Sequence, residues 1–333
     1  MKTYIFLPPL QRESGGLVVL RRMGVYLRNA GFPVCFVLRE ESINAAESGV
    51  DILFWQDLRL QAGDIWLTPE GWPNALLPAL RVGARSLIYA QSWAYVLTCE
   101  PQNTRLEDLP VEFLAVSEPV ARFVDMGLGK HAPVLRPGID TALFCPLPER
   151  KDDASLRVAF MPRKNKAFAR HIRELADVRL RRRTPPLSLE WISIEDCSPA
   201  EVARMLQSAH FFLSTGFPEG CPLPPLEALA CGCVPVGFTG IGGWDYMRQT
   251  TDFLGAAVPL WPLRETPWAG NGFYAADGDV PGAVFALEAA LDIFARGGEE
   301  LAALRRAGQM TAAAYSLEEQ ERAVVALWST FAV

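Results

Sequence analysis

The chain has 333 residues, half of them apolar, which is enough for two domains that each bury a sizeable core. Its 32 Lys and Arg against 38 Asp and Glu leave a net charge of −6, which argues against a general nucleic-acid binder, whose phosphate contacts need a basic face. No run reaches the roughly 18 apolar residues of a spanning helix, and the opening "MKTYIFLPPLQRESGG" has too short an apolar run for a signal peptide, so a soluble, cytoplasmic protein is expected.

From the N-terminus, short β-branched or aromatic runs alternate with helical patterns, the signature of βαβ units and a parallel sheet. "TYIFLP", "PVCFVL", "DILFW", "DIWLT", "RSLIYA" and "EFLAVS" read as strands. Between the first two, "GGLVVLRRMGVYLRNAG" carries Leu17, Leu20, Met23 and Leu27 at helical spacing and ends at Gly31, a C′ glycine. The proline-broken, charged "CPLPERKDDAS" at 145–155 reads as an interdomain linker.

A second alternating series follows: strand "LRVAFMP", helix "KAFARHIRELAD", strand "LSLEWIS", helix "SPAEVARMLQSA", strand "HFFLST" and strand "CVPVGF". Ser198 and Glu201 form a capping box around Pro199, the best-marked helix start in the chain. Beyond residue 278 the chain reads as helical to its end. Seven scattered cysteines suit reduced thiols, and Cys231 with Cys233 read as small core residues rather than metal ligands. Two such sheets place their strand ends at a cleft, where ligands of open α/β folds bind.

The densest chemistry lies in "STGFPEGCPLPPLEALACG". Gly216 to Leu223 form the loop at a strand's carboxyl end, and Pro224 or Pro225 opens a helix that Cys231 and Gly232 close. The N–H groups of that helix start form an anion site, and Glu219 and Glu227 flank it. A carboxylate only accepts hydrogen bonds, so it suits sugar or ribose hydroxyls, and a ligand with phosphates between two polyols fits the layout. The plainer alternatives are a solvated loop acid at Glu219 and complementation of the helix dipole by a first-turn Glu227.

These residues carry a resemblance. "STGFPEGCPLPPLEALACGCVPVGFTGIGG" resembles the Glu-x7-Glu segment of retaining, GT-B-fold glycosyltransferases of the family 4 (group 1) type. "GGLVVLRRMGVYLRNAGFPV" is similar to their first glycine loop and helix, and "FLAVSEPVARFV" with "VLRPGIDTALFCP" to the end of their first domain. The resemblance implies two Rossmann-like parallel-sheet domains: 1–148 on the acceptor side, 156–312 binding the nucleotide sugar, and a C-terminal helix, 313–333, crossing back to the first domain.

It also implies roles. Glu219 would hold the donor sugar's hydroxyls and Glu227 the ribose, with Gly220, Cys221 and Leu223 offering backbone N–H groups. Pro222 replaces a common glycine and can donate nothing. In "AFMPRKNKAF", Arg163 matches the family's phosphate-binding arginine; of the two lysines, Lys166 is preferred over Lys164 as its partner. Gly15 and Gly16 would approach the donor phosphates, and Gln91 and Ser92 stand where relatives carry an acceptor-side histidine.

The implied activity is metal-independent transfer of a hexosyl or related group, with retention, from a nucleotide-diphosphate sugar to the hydroxyl of a glycan, lipid-linked or small acceptor, with no cofactor. A nucleotide-sugar epimerase or hydrolase, and a silent nucleotide-sugar-binding partner protein, are the rivals. The basic run Arg179, Arg181, Arg182 and Arg183 reads first as a solvated patch, with contact to an anionic lipid surface at the inner membrane face as the alternative.

Overall fold

In the computed structural model, the described residues are 1–9, 14–39, 48–97, 100, 104–147 and 155–331. They fall into two units, Met1–Gly138 with Glu318–Val333, and Ile139–Leu317. Most of the stretch read as a linker, and Cys99, lie outside the described residues.

The first unit owes its sheet to the six runs read as strands: β1 (Thr3–Phe6), β2 (Val34–Leu38), β3 (Asp51–Phe54), β4 (Ile65–Pro69), β5 (Arg85–Ala90) and β6 (Val111–Ala115). They pair in parallel in the order β3-β2-β1-β4-β5-β6, so the sheet's growth reverses between β1 and β4. Helices α1 (Gly15–Asn29), α2 (Leu77–Val82) and α3 (Trp93–Val96) lie in the connections between them, and α4 (Glu118–Leu128) follows β6. Helix α1 buries Leu20, Met23 and Leu27, ends in Gly31 at φ +84°, and fits over β2 because Gly24 has no Cβ: one would sit 2.4 Å from the Phe36 ring.

The second unit contains β7 (Arg157–Phe160), α5 (Lys166–Arg181), β8 (Glu190–Ser193), α6 (Pro199–Ser208), β9 (Phe211–Ser214), α7 (Leu223–Ala230), β10 (Val234–Phe238), β11 (Phe273–Ala275), α8 (Val280–Arg296) and α9 (Gly298–Ala313). Its parallel sheet runs β11-β10-β9-β7-β8, reversing between β7 and β9. The period of two sorts the side chains. Val158, Phe211 and Leu213 join one core with Ile172 of α5 and Leu287 of α8, while Ala159 and Phe212 join another with Leu206, Leu226 and Leu229. Burying a side chain such as Phe or Leu contributes roughly 1.5–3 kcal/mol, so Phe211, Phe238 and Phe273, all fully buried, are principal anchors.

Strand β11 has only three residues and leaves no alternation to read in the sequence. The final helix, α10 (Leu317–Phe331), groups with the first unit, where fully buried Trp328 donates its indole N–H to Thr3 Oγ1 at 2.9 Å. The capping box at Ser198 is present: the hydroxyl accepts the Glu201 N–H, and the Glu201 carboxylate accepts the Ser198 N–H at 2.8 Å. Two of the four clustered arginines are met by carboxylates of α8, Arg179 by Glu288 at 2.8 Å and Arg183 by Asp292 at 2.9 Å. No helix among the described residues is long and apolar enough to cross a membrane.

Candidate active site

In the second unit the reversal between β7 and β9 separates two loops at the carboxyl end of the sheet, the place where open α/β sheets bind ligands. The loop after β7 holds Arg163, Lys164 and Asn165; the loop after β9 runs from Thr215 to Pro222. Asn165 joins them. It takes the left-handed conformation at φ +60° and donates its carboxamide N–H to the carbonyls of Thr215 and Phe217, both at 2.9 Å.

This clamp sets the two lysines apart. Lys164 Nζ lies 2.7 Å from Glu219 Oε1, whereas Lys166, the first residue of α5, is 77% exposed and stands 3.6 Å from Glu195 Oε2. The left-handed residue between them turns the chain, so the two lysines leave the backbone in different directions. Arg163 lies exposed on the same turn as Lys164.

Glu219 is held from behind. Its N–H donates to Gly240 O at 3.0 Å, and its carbonyl accepts from Gly242 N at 3.1 Å. Gly216 gives its carboxylate room, since a Cβ there would come within 2.6 Å of Glu219 Oε1. The Pro222 carbonyl is anchored by the Tyr246 hydroxyl at 2.6 Å. Complete burial raises the Tyr246 pKa and keeps that phenol a donor. Pro222 thus serves as the fixed end of the loop that carries Gly220 and Cys221.

Helix α7 begins at Leu223, one residue before the prolines expected to open it. Pro224 and Pro225 fill its second and third positions, so of the first four residues only Leu223 and Leu226 carry an N–H. The anion site is therefore thinner than a typical helix start. Glu227 is the fifth residue, in the second turn, and the first turn holds no acid. Complementation of the dipole's first turn does not account for it.

The first unit shows a polar chain at its own reversal. Ser14 caps α1, accepting the Leu17 N–H at 3.2 Å, so Gly15 and Gly16 do open this helix. Gln91, just past β5, donates its carboxamide to Gly16 O at 3.0 Å, and a Cβ on Gly16 would lie 2.0 Å from its Oε1. The Gln91 N–H in turn donates to Glu70 Oε2 at 2.8 Å. Burial pushes the Glu70 carboxyl up to about 7, although the N–H groups of Gln91, Glu70 itself and Ser92 favour its ionised form. The Ser92 hydroxyl is buried without a hydrogen-bond partner.

Two functional candidates, Glu70 and Asp277, escaped the sequence reading. Each is a single acid beyond a strand end, and only tertiary contacts distinguish them: Asp277 Oδ1 accepts the Gly240 N–H at 2.8 Å. Cys231 and Cys233 are buried, with Cys233 Sγ 3.0 Å from Leu206 O, and the described residues contain no group of three potential metal ligands. His210 is a structural residue, its Nδ1 accepting the Arg157 N–H at 3.1 Å.

No family model matches the chain. A curated Alpha-1,6-glucosyltransferase of Actinobacillus pleuropneumoniae serotype 7 is 23% identical over 229 residues, which is 66% of this chain and 66% of the relative, just under two thirds of its length. A solved sucrose-phosphate synthase of Thermosynechococcus elongatus matches with a TM-score of 0.68 at 13% identity, covering 99% of both chains. A pneumococcal O-GlcNAc transferase, solved with UDP and GlcNAc, matches at 0.62 and 10% identity over 99% of this chain and 98% of its own. At such identities the likeness is one of fold. The two parallel-sheet α/β domains of this chain have the GT-B fold of solved glycosyltransferases.

Proposed function

We propose that the protein is a retaining glycosyltransferase that moves a hexosyl or related group from a nucleotide-diphosphate sugar to an acceptor hydroxyl. The observation that carries this reading is the Lys164–Glu219 pair at 2.7 Å, placed at the sheet's reversal with Arg163 on the same turn. A sugar diphosphate offers hydroxyls to the carboxylate and oxygens to the cations, so one ligand can use both members of the pair. The glucosyltransferase relative, and the neighbour solved with UDP and GlcNAc, favour this ligand class.

In the reaction the bond between the anomeric carbon and the diphosphate breaks while a bond to the acceptor oxygen forms on the same face. The acceptor's proton passes to a donor phosphate oxygen. Arg163 and Lys164 stabilise the charge that gathers on the leaving diphosphate, which removes the need for a metal. Lys164 takes this role ahead of Lys166 because of where the left-handed Asn165 sends it. Glu219 holds sugar hydroxyls and Glu227 those of the ribose. In the first unit, Gly15 and Gly16 serve the donor phosphates, and Gln91 and Ser92 serve the acceptor.

Glu219→Ala tests the reading. Transfer is expected to fall at least 1,000-fold while binding of the free nucleoside diphosphate persists, and near-wild-type transfer refutes the assignment. Activity should also survive a chelator.

A further inference from the structure

The turn after β10 carries an unusual backbone. Ile241 adopts φ +67° and ψ −53°, a region that β-branched residues avoid, and the glycines beside it admit no side chain. A Cβ on Gly240 would lie 2.6 Å from Glu219 Cβ, and one on Gly242 would lie 2.0 Å from Gly220 O. The turn therefore fits closely against the Glu219 segment, to which its backbone is bonded through Gly240 O and Gly242 N.

A conformation of this kind persists only where its surroundings hold it. The side chain that holds it from outside the turn is Asp277, two residues past β11. Its carboxylate accepts the Gly240 N–H at 2.8 Å, and the neighbouring N–H groups of Thr239 and Ile241 also favour its ionised form. Burial raises its pKa even against those three donors, so the carboxyl is kept in a costly place. The turn's own bonds, Gly243 N–H to Thr239 O at 2.9 Å, Trp244 N–H to Ile241 O at 3.1 Å and Ile241 N–H to Thr239 Oγ1 at 3.2 Å, are local and do not reach Glu219.

We propose that Asp277 is a positioning residue for the transfer reaction: its bond to the Gly240 N–H fixes the 239–242 turn, and the turn fixes Glu219 against the donor sugar. Removing the carboxylate lets Ile241 relax, and Glu219 moves with it because the two share a backbone bridge. The nucleoside diphosphate, whose contacts are assigned to other residues, should be held as before. This inference rests on the reading of Glu219 as the sugar-holding residue.

The test compares the affinities of UDP, GDP, ADP and dTDP with those of their glucose conjugates by calorimetry, using the pair the wild type binds best. In Asp277→Ala the free diphosphate should bind within about threefold of wild type and the sugar form at least tenfold more weakly. Asp277→Asn, which keeps one acceptor oxygen and the side-chain volume, should fall between the two and carries the comparison if the alanine variant does not fold. Glu219→Ala should show the same selective loss, with no further loss in the double variant. A selective loss in Glu219→Ala but not in Asp277→Ala or Asp277→Asn overturns the positioning role alone. Equal weakening of both ligands by the Asp277 variants also overturns it, because it marks a merely structural residue. No selective loss in Glu219→Ala, or no binding of any pair by the wild type, overturns the reading of Glu219 and the inference with it.

Discussion

Glu70 gives the clearest measurable consequence of the structure. Its carboxyl titrates near 7 in the fold, against an ordinary value of 4.5, because burial penalises the ionised form and only backbone N–H groups oppose that. A raised acid pKa means that the folded chain binds this proton more tightly than the open chain does. At about 1.4 kcal/mol per pH unit, ionising Glu70 in the fold costs about 3 kcal/mol at most. The sign follows directly: this contribution to stability is present below about pH 4.5 and is lost as the pH rises to about 7.

Glu70→Gln keeps the shape and an acceptor oxygen for the Gln91 N–H, and it cannot ionise. The variant should therefore be more stable than wild type at pH 8, by up to about 3 kcal/mol, and nearly equal to it at pH 4.5. Denaturant midpoints measured from pH 4.5 to 8 report the difference. A gap that is absent at pH 8, or that is the same at both ends, refutes the desolvation argument.

Two further substitutions separate neighbouring explanations. Lys164→Ala should lower kcat at least tenfold more than Lys166→Ala, since only Lys164 meets Glu219; equal effects in steady-state assays would reverse the assignment. Ser198→Ala removes a capping box remote from the candidate site and should lower stability by roughly 0.5–2 kcal/mol with kcat unchanged, read from denaturant melts beside the transfer assay.

What the sequence made legible follows from locality. Strands such as "PVCFVL", the Gly31 stop and the Ser198 box declare themselves within a few residues, and each is present. The Glu219 loop was legible as well, because its prolines and glycines shape the backbone that presents it. The choice between Lys164 and Lys166 was not, because Asn165 takes the left-handed form only through its bonds to Thr215 and Phe217, 50 and 52 residues away. Glu227 was placed one or two positions too early in the helix because the prolines suggested a start at 224 or 225, while the helix accepts Leu223 as its first residue. Asp277 could not be found, since its partners are the N–H groups of a turn 37 residues distant.

The two units also show how one topological rule yields two electrostatic outcomes. Each sheet reverses its growth once, between β1 and β4 and between β7 and β9, and each carries an acid beyond a strand flanking that reversal. Glu219 is answered by a full cation, Lys164, and a site built this way keeps a charge ready for a polar ligand. Glu70 is answered only by backbone N–H groups and is half-buried, so its charge is conditional on pH. Because the same hydrogen-bonded chain runs from Glu70 through Gln91 to Gly16, protonating Glu70 weakens the support of the glycine pair that opens α1. If Gly16 serves the donor phosphates, an acid limb near pH 7 in the transfer rate that vanishes in Glu70→Gln is the kinetic counterpart of the stability change worked out above.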